Sequence, residues 1–151
     1  MKKYYLAYGS NLNVRQMAWR CPTAKAVGTA VIKDYELLFK GSKTGAYLTI
    51  EPKSGAEVPV AVWSVEPSDE LNLDRYEGYP TFYYKTEIEL PVRYFSGKTV
   101  GRTAFVYIMH RLSCTLCMKS VHWACRAVRM FGLALRVTAV LVLMRVFFSQ
   151  R

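Results

Sequence analysis

Two stretches of this 151-residue chain carry residue types that could do chemistry. The first is Tyr8-Gly9-Ser10-Asn11-Leu12, which follows the apolar run Tyr4-Tyr5-Leu6-Ala7. Gly9 permits a positive φ or a close backbone approach to a ligand. Ser10, Asn11 and Asn13 are natural N-cap residues. A strand, a glycine turn and a helix start would aim backbone N–H groups into one concavity, with the positive end of a helix dipole behind them. Such a place holds a carboxylate, a phosphate or a developing oxyanion. One glycine is a weak signal, and a plain capped strand-to-helix turn is the simpler reading of the spacing.

The second stretch surrounds Glu77, which has Tyr76, Tyr79, Phe82 and Tyr83 as sequence neighbours. An aromatic surround desolvates a carboxylate and raises its pKa, which suits a general acid/base. Spacing alone favours a structural role. Asp69, Glu70 and Asp74 on the same segment read as solvated surface acids. A third pattern, Cys114-x2-Cys117-x4-His122-x2-Cys125, resembles a small zinc site in spacing but lacks the framework of a compact knuckle, so no metal is expected. Free, partly buried cysteines are the expectation there. His110 reads as structural, and no Ser-His-Asp or Cys-His set is identifiable.

The elements that must position these residues follow from periodicity and breakers. Residues 4–8 read as a strand and 13–20 as a short helix that Cys21-Pro22 ends. Residues 26–32 and 35–40 read as strands joined at Lys33-Asp34. A turn at 41–45, a strand at 46–50, a turn at 51–55 and a β-branched strand at 58–65 come next. Ser68 or Asp69 can cap a helix over about 69–76, closed by Gly78. Residues 82–90 alternate in polarity as a half-buried strand does, and 92–95 with 99–109 make a hairpin. The total is an α+β domain on a strongly curved or barrel-like sheet.

Composition bounds the classes. A hydrophobic fraction of 52% with 14% aromatics argues against disorder. Neither a signal peptide nor a membrane span is evident; the best apolar run, 137–144, is eight residues between Arg136 and Arg145. A cytoplasmic protein with reduced thiols is expected. The net charge of +10 is not spread evenly, because residues 90–151 hold ten Lys and Arg and no acid. These charges are scattered among apolar residues, so no nucleic-acid partner is expected.

The sequence resembles the γ-glutamylcyclotransferase-like proteins, which include the AIG2-like group. Three blocks carry the resemblance, in the family's order: Tyr8-Gly9-Ser10-Asn11-Leu12; Leu73-Asp74-Arg75-Tyr76-Glu77-Gly78 with Tyr83-Tyr84-Lys85; and Phe105-Val106-Tyr107-Ile108-Met109. The resemblance covers about residues 1–111. It implies a small mixed, barrel-like β-sheet with short helices and one pocket. It also implies a cofactor-free enzyme of acyltransferase or lyase type that needs no metal and cyclises a γ-glutamyl small molecule, such as glutathione, to 5-oxoproline. Glu77 would be the general acid/base. Tyr8, Gly9, Ser10, Asn11 and Leu12 would bind substrate, with Tyr83 and Tyr107 shaping the pocket.

Residues 112–151 depart from the family pattern. They form a basic, apolar stretch that reads as a frameshifted or otherwise divergent tail completing or flanking the domain of residues 1–111. That departure keeps two alternatives in view: a non-catalytic binding or interaction module on the same fold, and a nucleic-acid or membrane binder driven by the tail.

Overall fold

The computed structural model describes residues 2–42, 45–110 and 116–118. Strand β1 (Lys3–Ala7) runs into a single 3-10 turn (Ser10–Leu12) and helix α1 (Val14–Arg20). Two long strands follow, β2 (Lys25–Ser42) and β3 (Gly45–Val65), then helix α2 (Pro67–Glu77). Strands β4 (Tyr83–Tyr94), β5 (Thr99–Met109) and β6 (Leu116–Met118) complete the described elements. The strands lie in the order β3-β1-β5-β4-β2-β6, and β2 also pairs with β3. That extra pairing closes five strands into a barrel, with β6 added beside β2 at Phe39–Gly41. The sheet is mixed because β1 runs parallel to β5 and antiparallel to β3.

The expectation of a barrel-like α+β fold holds, and two expected breaks do not. Residues 26–32 and 35–40 are one strand, and the turn expected at 51–55 lies inside β3. The breaker-rich segment is absorbed as a bulge. Lys33 pairs with Glu57 and Tyr35 with Pro52, so residues 53–56 bow out opposite Asp34. Asp34 takes a φ of 59° and Gly55 one of 74°, and the Gly55 N–H donates to Asp34 Oδ1 at 2.8 Å. The ladder on both sides holds the strand together where local propensity would end it.

Closure also depends on Gly28. At Gly28 and Thr29, β2 pairs with Tyr94 and Arg93 of β4. A Cβ on Gly28 would lie 2.2 Å from the Arg93 carbonyl oxygen, so only glycine admits this approach.

Both faces of β1 are buried, in two different clusters. Leu6 and Tyr8 join Ile32, Ile50, Val60, Val62, Val92 and Val106 in the barrel interior. Tyr5 and Ala7 face the opposite way, with Met17 of α1, Leu73 of α2, Phe105 and Tyr107. The second cluster docks both helices on the barrel and also holds Leu12 and Tyr83, whereas Tyr8 belongs to the first. Among the described residues, no helix is long and apolar enough to cross a membrane.

Candidate active site

The strand-turn-helix unit forms as expected, but its physics differs from an anion loop. Gly9 has φ −114°, so the turn needs no positive φ. The space a Cβ would occupy there is open among the described residues, which leaves room for a close approach. The Leu12 and Asn13 amides bond to Gly9 and Ser10 carbonyls within the turn, each at 3.0 Å. The side chain of Asn13 caps α1, accepting from the Arg15 N–H at 3.0 Å and the Gln16 N–H at 3.3 Å. The protein's own capping residue therefore occupies the helix terminus expected to back the loop. Leu12 is a core side chain, 5% exposed in the cluster beneath the helices.

Helix α2 delivers Glu77 at its last turn. Its start is capped by Glu66, not by Ser68 or Asp69: Glu66 and Asp69 form a reciprocal capping box, and Pro67 opens the helix. Gly78 ends it as expected, in the left-handed region at φ 65°. Leu73, fully buried, anchors the helix to the cluster below.

The loop and the carboxylate meet. Asn11 is 2% exposed, and its Nδ2 donates to Glu77 Oε1 at 3.0 Å and to the Tyr5 hydroxyl at 2.9 Å. Ser10 Oγ lies 3.0 Å from the Tyr76 hydroxyl. Burial pushes the Glu77 carboxyl up to about 7, while the positive charge of Arg20 and the Asn11 hydrogen bond pull the other way. Glu77 is half-buried, so it combines a desolvated carboxyl with access. Such a group changes protonation state near neutral pH, as proton transfer requires.

The three tyrosines expected to shape a pocket lie within electrostatic reach of Glu77. Their hydroxyls are engaged. Tyr8 donates to the Tyr107 carbonyl at 2.6 Å, Tyr83 to the Leu48 carbonyl at 2.7 Å, and Tyr107 to Asp74 Oδ1 at 2.6 Å. Burial holds all three well above the usual phenol range. They are neutral at physiological pH and present rings and fixed dipoles.

The acids read as solvated are not. Asp69 is 1% exposed and accepts from Thr23 Oγ1 at 2.5 Å and the Glu66 N–H at 3.2 Å. Glu70 and Asp74 hold Lys85, at 2.7 and 2.8 Å, which also lies 4.8 Å from the Tyr79 ring centroid. Burial alone would lower the Lys85 ammonium, but Asp74 and Glu70 raise it overall. These acids lock α2 to β4 and, through Asp74, orient Tyr107. Nothing in their local spacing signals this, since Lys85 and Tyr107 arrive from strands far along the chain.

Two site residues escaped the sequence reading. Tyr5 was legible only as a strand residue, yet its hydroxyl faces Asn11. Arg20 is, in the sequence, only the last residue of the short helix at 13–20, yet its Nη1 donates to Asn11 Oδ1 at 2.6 Å. His110 Nε2 lies 2.9 Å from the Pro80 carbonyl oxygen. The zinc-like spacing at Cys114, Cys117, His122 and Cys125, the apolar run at 137–144 and the divergent tail lie outside the described residues, apart from the short pairing of β6. Among the described residues, no group of three or more metal-ligand side chains is brought together.

Comparison with known proteins places these features in context. A family model described as gamma-glutamyl cyclotransferase, AIG2-like matches residues 5–125, ending within the stretch where composition breaks. A gamma-glutamylcyclotransferase of Bos taurus is 35% identical over 103 residues, 64% of this chain and 54% of that protein. One of Homo sapiens is 35% identical over 112 residues, 70% of this chain and 58% of that protein. The matches thus span a little over half the length of these relatives. A solved gamma-glutamyl cyclotransferase superposes with a TM-score of 0.66 at 27% identity, covering 93% of this chain and 86% of that one.

Proposed function

Because the chain belongs to the gamma-glutamyl cyclotransferase, AIG2-like family, we propose that it cyclises a γ-glutamyl group to 5-oxoproline and releases an amine or amino acid, with Glu77 as general acid/base. One observation carries the proposal: the Glu77 carboxyl, held near 7 by burial, faces Asn11 of the loop at 3.0 Å.

The chemistry needs what this site offers. The nucleophile is the substrate's own α-amine, so neither an activated serine nor an activated cysteine is required. The amine loses a proton and attacks the γ-carbonyl, forming the ring C–N bond. The tetrahedral oxyanion then collapses, breaking the bond to the leaving amine, which takes up a proton. Glu77 accepts the first proton when ionised and returns one to the leaving nitrogen. The loop contributes the amides of Gly9, Ser10 and Asn11, which the turn itself does not use, to the oxyanion or the substrate carboxylate. Tyr8, Tyr83 and Tyr107 shape the pocket around the bound glutamyl chain, which is held as a ring-forming conformer. No step calls for a cofactor or metal, and the reaction suits the cytoplasm, where free γ-glutamyl compounds such as glutathione are the fitting substrates.

The test is incubation of the purified protein with γ-glutamyl amino acids, γ-glutamyl amines and glutathione, with 5-oxoproline as readout. At least one should be converted, and Glu77→Gln should lower kcat by a factor on the order of 100 to 10,000. Parent-like turnover in Glu77→Gln refutes the assigned role. Binding without conversion of any member would return the protein to the binding-module reading.

A further inference from the structure

Arg20 ends α1 with its guanidinium seated between the loop and α2. Besides donating to Asn11 Oδ1, Nη1 lies 3.4 Å from Ser10 Oγ, and Nη2 donates to Gln16 Oε1 at 3.2 Å. Cζ stands 3.6 Å from the Tyr76 ring centroid. The Arg20 carbonyl accepts from Asn72 Nδ2 at 3.1 Å, tying the end of α1 to α2. Nε is buried with no hydrogen-bond partner among the described residues. A buried donor without a partner is unfavourable. This seat therefore does not maximise Arg20's own bonding; it brings Nη1 onto Asn11.

The consequence follows from donor and acceptor inventories. A guanidinium only donates. The Asn11 atom facing Arg20 is therefore oxygen, which turns the amide nitrogen the other way. That nitrogen carries two hydrogens, directed to the Tyr5 hydroxyl and Glu77 Oε1. Flipping the amide would set its carbonyl against the carboxylate, two acceptors face to face, and would turn N–H groups toward the guanidinium. The amide engages Oε1 of Glu77 rather than Oε2.

We infer that Arg20 is a positioning residue for the acid/base carboxylate. Its grip on the Asn11 carbonyl fixes the orientation of that amide, and the amide holds Oε1 of Glu77 and leaves Oε2 to exchange protons. The catalytic meaning of this relay rests on the cyclotransferase reading; the orientation does not. Lysine does not replace the arginine, because a single ammonium lacks the planar fork that stacks on Tyr76 while bonding Asn11 and Gln16. Arg20 is also the cation that bears on Glu77 among the described residues. The other titratable groups facing Glu77 are Tyr5 of β1, Tyr8, Tyr83 of β4 and Tyr107 of β5, all neutral at assay pH.

The experiment follows the side-chain carboxyl of Glu77 by carbon NMR of the full chain, assigned by its loss in Glu77→Gln. In Arg20→Gln the Glu77 titration should move up by about one unit, and the acid limb of kcat/KM should move with it. Arg20→Lys should keep most of the titration position and still lose at least about tenfold in kcat/KM, because charge remains while the fork is gone. A folded Arg20→Gln protein whose Glu77 titrates with the parent overturns the inference, as does full activity in Arg20→Lys. The unmodified protein gives a reading that needs no variant. The Asn11 side-chain amide protons should show NOEs to Tyr5 and Glu77, and NOEs to the Arg20 guanidinium in their place would overturn the assigned orientation. The NMR measurements read Glu77 and Asn11 whether or not any substrate turns over, so failure of this inference is distinguishable from failure of the proposed reaction.

Discussion

Glu77→Gln should stabilise the folded protein at alkaline pH. Burial holds the Glu77 carboxyl at about 7 in the fold, against 4.5 for an unperturbed glutamate. The shift of about 2.5 units corresponds to about 3 kcal/mol at about 1.4 kcal/mol per unit. Glu77 is only half-buried, so solvent screening brings the expected value to about 2 kcal/mol. The sign follows from proton linkage. Below 4.5 both states hold the proton, and the fold has its full stability. Between 4.5 and 7 the folded state keeps a proton that the unfolded chain releases, so stability falls as pH rises, and it levels off above the folded value. Glutamine has the same shape and can still offer its Oε1 to Asn11 Nδ2, so the substitution removes the charge and little else. The assay is urea unfolding of parent and variant from pH 4 to pH 8.5. Every other titrating group is common to the two proteins, so their difference isolates Glu77. It should be near zero at pH 4 and grow to about 2 kcal/mol in favour of the variant by pH 8. A flat difference across that range would refute the claim that Glu77 is desolvated. A variant more stable and far less active would show that the carboxylate is kept for function against the interest of the fold.

Further outcomes are expected. The kcat/KM of the parent should rise with pH through about 7, because Glu77 must be ionised to accept the amine proton; an acid limb near the ordinary glutamate range would show a solvated carboxyl. Asp69→Ala should destabilise the protein by about 2 kcal/mol, since it removes the buried carboxylate that accepts from the Thr23 hydroxyl and from the Glu66 N–H of the capping box. Urea midpoints measure this, and a loss below about 0.5 kcal/mol would restore the surface reading of that acid. Gly28→Ala should cost about 3 kcal/mol or more, because its Cβ would sit 2.2 Å from backbone oxygen rather than from a side chain that can turn aside. A variant that melts within about 2 °C of the parent would contradict that close approach.

The sequence by itself determined those features that depend on neighbours along the chain. The β1 run, the capped start of α1, the helix stop at Cys21-Pro22, the left-handed Gly78 and the alternation along β4 are local or periodic signals. They survive because the tertiary packing does not override them. The three motif blocks also pointed to a barrel-like fold, which the closed five-strand sheet bears out. Tertiary structure decided the rest. Breakers at residues 51–55 predict a turn, but the β2–β3 ladder on either side turns them into a bulge. Asp69, Glu70 and Asp74 are indistinguishable from surface acids until Thr23, Lys3, Lys85 and Tyr107 arrive from elsewhere. Arg20 and Tyr5 have no signature, because an arginine at a helix end and a tyrosine in a strand suit almost any fold. They acquire meaning only where β1, α1 and α2 converge on Asn11. Glu77 spans both levels: its aromatic neighbours were visible in the sequence, but its desolvation depends on which groups the packed helices bring against it.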